Sequence, residues 1–211
     1  MFAGGVFLSL RHEIRQDAHE AAEELVERLA ATDALLRKFP RPVGDIARVC
    51  GLDVAASPKD IDLDHSCIAY RTILVTTDRK SWQRRLSIGH EIAHHYLDLR
   101  VVGNSVVEQE CTAFAAGLLM PKQEVTGMMA MLAGDGQRNP EEWAEAEYRW
   151  GVMTRGVKYF GVGYKALLVA MGDYGLVTGV EPWHAVWRSR EMMDSYYDRW
   201  NALKGVSGSS D

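Results

Sequence analysis

The stretch His90, Glu91, Ile92, Ala93, His94 decides how this chain is read. Residues four apart on an α-helix lie about one turn apart on the same face, so both imidazoles can reach one cation at ~2.0–2.1 Å. Glu91 follows the first histidine directly. From there it projects around the helix far enough to miss the cation yet meet its bound water, the position of a general base. Gly89, just before the motif, allows another backbone to come close.

The residues on either side supply the context. Ile68, Tyr70, Thr72, Ile73, Val75 and Thr76 make residues 67–77 read as one strand, with one side left exposed. Ser81 is the expected cap of a helix over 82–99 that carries the motif. After the turn-like Gly103 and Asn104, Ser105 and Glu108 form a capping-box pattern, and Pro121 closes the apolar run that follows. A catalytic zinc site takes three protein ligands and keeps a fourth position open. Glu110 is the candidate third ligand, an acid on an apolar helix sharing a face with Phe114 and Gly117. Glu108 is the alternative, although the cap already explains its presence.

Further out, residues 10–31 carry Leu10, Ile14, Ala18, Ala21, Leu25 and Leu29 at steps of three and four, an amphipathic helix broken off by Pro40 and Pro42. A short helix over 43–50 stops at Gly51, and a first strand starts near Leu52. Met120, Met128, Met129 and Met131 read as flexible core filler. Asn139 and Pro140 open another helix, residues 164–171 form a shorter one, and Met192, Tyr196, Trp200 and Leu203 mark a last amphipathic helix before a flexible glycine and serine end.

Composition narrows the function classes. A chain of 211 residues with 47% hydrophobic and 25% charged residues can bury a real core. A formal charge of -5 leaves no electrostatic footprint for nucleic acid. Cys50, Cys67 and Cys111 are odd in number and form no CxxC pair, which argues against a disulfide framework and fits a reducing compartment. Residues 1–8 lack a basic leader and a small-residue cleavage site, and no run approaches the ~18–20 apolar residues of a membrane span, so a cytoplasmic, unanchored protein is expected.

The pairing of His90, Glu91 and His94 with the run Glu110, Cys111, Thr112, Ala113, Phe114, Ala115, Ala116, Gly117, Leu118, Leu119, Met120, Pro121 resembles the ImmA/IrrE family of zinc metallopeptidases. Weaker likeness extends over about residues 43–177. The resemblance implies that Glu110 is the third zinc ligand. It also implies a regulatory protease whose protein substrate is a helix-turn-helix repressor. Cys111 and Thr112 stand where the family commonly has alanine and asparagine, and Asp98 where a further histidine often follows. Asp98 either accepts the free ring N–H of His94 or is a plain helix-end carboxylate. Cys111 reads as a small buried hydrophobe, with competition for metal as its alternative role. His95 points about 100° from His94 and reads as a residue beside the ligands or at the surface rather than as a ligand. His12, His19, His65 and His184 have no ligand spacing.

The expected architecture is an α+β zincin-like domain with a small sheet, an HExxH active-site helix, a Glu-ligand helix and a helical C-terminal part. Its divisions are an N-terminal helix region over 1–40, the metallopeptidase domain over 41–180, and a C-terminal helix and tail over 181–211, forming one compact unit. The expected activity is zinc-dependent peptide-bond hydrolysis with Glu91 as base. A module that binds zinc and sequesters a repressor or toxin without cutting it is the alternative. The acidic balance disfavours a third reading, DNA binding through residues 161–177. One zinc per chain is expected by elemental analysis after dialysis, and none in His90→Ala or His94→Ala. A parent chain that retains no metal would refute the zinc reading.

Overall fold

A computed structural model describes residues 3–57, 66–69, 71–99, 104–133 and 142–177. Among the described residues, three strands and seven α-helices follow one another in the order α1 (Ala3–Ala30), α2 (Val43–Val49), β1 (Asp53–Ala56), β2 (Ser66–Ala69), β3 (Thr72–Val75), α3 (Ser81–Tyr96), α4 (Ser105–Leu119), α5 (Lys122–Ala133), α6 (Glu142–Phe160) and α7 (Tyr164–Asp173), with a 3-10 turn at Ala34–Arg37. This is the expected α+β zincin-like arrangement. The helix start at Asn139 and Pro140, His65, His184 and the amphipathic segment with Met192, Tyr196, Trp200 and Leu203 lie outside the described residues.

The single strand expected over 67–77 is instead two. β2 and β3 pair antiparallel, with Ala69 opposite Thr72 and Ser66 opposite Val75. Arg71 has φ +66°, the left-handed conformation that tight hairpin turns require. The unbroken β-branched and aromatic run conceals this reversal because no glycine or asparagine marks it. β1 pairs parallel with β3, giving the order β1-β3-β2. Ile73 and Val75 of the central strand are buried, and α3 packs against β2 and β3.

Both site helices start one residue before the expected position. The α3 N-cap is Lys80, whose N–H donates to the Gln83 side-chain oxygen at 3.0 Å, and Ser81 is already helical. The α4 N-cap is Asn104, whose side chain accepts the Val106 N–H at 3.0 Å. Glu108 therefore falls one position beyond the place a capping box requires, and that explanation of its presence lapses. At its other end α3 closes with the Leu97 N–H donating to the Ala93 carbonyl at 2.9 Å and the Leu99 N–H to the His94 carbonyl at 3.0 Å. Asp98, at φ +51°, makes this left-handed closure.

α1 begins well before residue 10 and is part of the core, packed chiefly on α4, with Ala18, Ala22, Leu25 and Val26 buried. Polar groups fasten it to the C-terminal helices. Arg15 donates to Asp173 at 2.6 Å, His19 lies 3.4 Å from the same carboxylate and 3.2 Å from the Tyr174 hydroxyl, and Tyr174 donates to the Met120 carbonyl at 2.6 Å. Of the methionines read as core filler, Met120 is buried and Met128 and Met129 pack on the core, whereas Met131 is exposed. Among the described residues, no helix is long and apolar enough to cross a membrane.

Two glycines set how closely the helices approach. A Cβ on Gly89 would lie 3.1 Å from Ala115 Cβ and 3.3 Å from its Cα, and one on Gly117 would lie 2.8 Å from His19 Cα. Because the obstruction at Gly117 is backbone, Gly117→Ala is expected to destabilise the chain by about 1–3 kcal/mol. Gly127 has open space around it, so Gly127→Ala is expected to gain up to about 1 kcal/mol from helix propensity. Urea unfolding of the two variants checks the contrast, and equal effects would contradict the close α1–α4 crossing.

Candidate metal centre

The periodicity of α3 brings His90 and His94 to one face, with ring centroids 4.9 Å apart. Ile92 and Ala93 between them are buried and hold the helix against the core, and Glu91 is 7% exposed. Burial and the neighbouring His94 lower the pKa of His90, favouring the neutral imidazole that a metal needs, although Glu91 and Glu108 oppose the shift. His95 is exposed, as expected of a residue off the ligand face.

What faces these rings is decided by α4. At roughly 100° per residue, Glu108, Cys111, Thr112 and Ala115 form one stripe, while Glu110, Phe114 and Gly117 form another on the opposite side. The first stripe faces α3, as the contact between Gly89 and Ala115 requires. The second faces α1, where Gly117 meets His19 and where burial, then the Asp17 carboxylate, raises the pKa of Glu110. Glu110 thus stands on the stripe toward α1 and Glu108 on the stripe toward α3. Glu108 Oε2 lies 2.9 Å from His90 Nε2 and 3.7 Å from His94 Nε2. The face shared with Phe114 and Gly117, the reason for choosing Glu110, is the face turned away.

The other ring nitrogens are engaged. His94 Nδ1 donates to the Leu99 carbonyl at 2.8 Å. The left-handed turn at Asp98 brings that carbonyl back over the helix end, so a main-chain group fills the role considered for the Asp98 carboxylate. The Thr112 hydroxyl donates to the Glu108 carbonyl at 2.7 Å and presents its oxygen to His90 Nδ1 at 3.4 Å. With both Nδ1 atoms facing acceptors, both Nε2 lone pairs are left for a cation beside Glu108. Two imidazoles and a carboxylate are a donor set suited to zinc. His90, His94 and Cys111 form a second grouping, whose possible ligand atoms all lie within 4.8 Å of one another.

The sequence offers Glu108 as the alternative acid, but it reveals neither the Leu99 carbonyl nor the contact of Thr112 with His90. A main-chain acceptor leaves no residue-type signal. Thr112 was noted only as a departure from a family pattern.

Residues 47–171 match the family model described as the IrrE N-terminal-like domain, peptidase M78. No curated protein matches the chain. α1 lies wholly before the matched region, yet it covers the Glu110 face of α4.

From this geometry, Glu108→Ala is expected to weaken zinc binding by more than the roughly 10- to 100-fold typical of losing an outer-shell partner, while Glu110→Ala leaves it little changed. Competition titration against a chromophoric chelator measures both. The opposite ranking would restore Glu110 as the ligand.

Proposed function

The chain belongs to the peptidase M78 family, and from that premise we propose that it is a zinc-dependent endopeptidase acting on a partner protein in the cytoplasm. The observation that carries the reading is the convergence of His90 Nε2 and His94 Nε2 on Glu108 Oε2, with Glu91 buried alongside. In this reading His90, His94 and Glu108 would hold the metal. Bound there, zinc supplies the Lewis acidity that polarises a scissile carbonyl and acidifies water. Glu91 takes the proton of the attacking water and returns it to the leaving amine, which is general acid–base work for a carboxylate beside the reacting atoms. The Leu99 carbonyl and Thr112 keep the two rings oriented by holding their Nδ1 protons. A helix-turn-helix repressor is the substrate implied by the resemblance to the ImmA/IrrE family.

Glu91→Gln separates cleavage from capture. The amide is nearly isosteric and is no ligand in this scheme, so zinc content, fold and partner binding should survive. Removing the base is expected to lower the rate by at least about 100- to 10,000-fold. Gel analysis of a co-expressed repressor checks this. A variant that relieves repression as well as the parent does, with the repressor intact in both, would establish sequestration instead.

A further inference from the structure

We propose that Cys111 is a fourth donor of the metal centre, its sulfur occupying as thiolate the position that a catalytic site leaves open. The inference rests on the metal site of His90 and His94 described above and adds a ligand to it. Cys111 is one turn beyond Glu108, on the stripe of α4 that faces α3, and its Sγ lies within 4.8 Å of the donor nitrogens of both histidines. The residue is fully buried and away from solvent. Cys50, the other cysteine with a described side chain, belongs to no such cluster among the described residues.

The chemistry suits a soft borderline cation. Zn–S bonds of about 2.3 Å and Zn–N bonds of about 2.0–2.1 Å put the two donors on a tetrahedral ion roughly 3.5 Å apart, so closing the cluster takes about 1 Å of side-chain movement. Without a cation the thiol stays protonated, because burial and then the carboxylates of Glu108, Glu110 and Glu91 push its pKa up to about 12. A divalent ion outweighs those carboxylates at bonding distance. The S–H bond is lost, its proton passes to solvent, and the sulfur–metal bond forms with the freed electron pair. Four protein donors make a closed centre of the kind structural zinc sites have. Peptide or water must then displace the sulfur before hydrolysis, so Cys111 restrains the enzyme until substrate arrives.

Cobalt(II) is the probe, because zinc has no d–d or thiolate charge-transfer spectrum to read. The full chain freed of metal and reloaded with cobalt is compared with Cys111→Ala, Cys111→Ser and His90→Ala. The expected result is an intense near-ultraviolet sulfur-to-cobalt band in the parent. Both Cys111 variants should lose that band while keeping one cobalt and its visible d–d bands, and His90→Ala should lose most of the cobalt. Parent and Cys111 variants with the same spectrum and the same cobalt content overturn the thiolate ligand and leave the metal site standing. A parent that binds no cobalt overturns both, and His90→Ala retaining cobalt with the sulfur band intact places the metal away from the histidines. Far-ultraviolet circular dichroism confirms that each variant is folded before its spectrum is read.

Discussion

The close crossing of α3 and α4 is the constraint on which the rest of the site depends. Gly89 has no side chain, and Ala115 fills the space that a larger residue there would contest. Two helices that touch at such a point have little rotational freedom about their own axes. The crossing therefore fixes which stripe of α4 looks at the histidines. Since Glu108 and Glu110 lie about 200° apart on that helix, the same contact selects one carboxylate and turns the other away.

Helix ends complete what the crossing begins. The left-handed residue Asp98 ends α3 in a turn that both satisfies the His94 carbonyl and delivers the Leu99 carbonyl to the His94 ring. One local closure thus caps a helix and sets a tautomer. The hydroxyl of Thr112 has a similar double use, bonding back to its own helix while facing His90. Partial burial of His90, with His94 beside it, lowers its pKa and favours the neutral imidazole.

α1 lies before the region shared with the family, yet it forms part of the support for α4. His19 and Gly117 meet there backbone to backbone, and the bonds among Arg15, His19, Asp173, Tyr174 and the Met120 carbonyl tie α1 to α7 and to the C-terminal end of α4. Helix α4 is thereby held between α3 on one side and α1 on the other. The position of Glu108 follows from packing on both.

Much of this was legible in the chain itself. Four-residue spacing in a helix puts His90 and His94 on one face whatever surrounds them, and Glu91 beside them, because helix geometry is local. The apolar run before Pro121 likewise announced α4, and the spacing of Ala18 and Leu25 announced the buried face of α1. The hairpin at Arg71 was not legible, since an arginine carries no turn signature and its left-handed conformation is imposed by the pairing of β2 with β3. Nor was the choice between Glu108 and Glu110. Periodicity shows that the two acids lie on opposite faces of α4 but not which face meets α3, for that is set by contacts between residues far apart in sequence. The sequence by itself determined the histidine pair, the glutamate beside it and the two helices that carry the candidate centre. Only tertiary packing, through Gly89 on Ala115 and Gly117 on His19, decided which carboxylate and which thiol stand across from them.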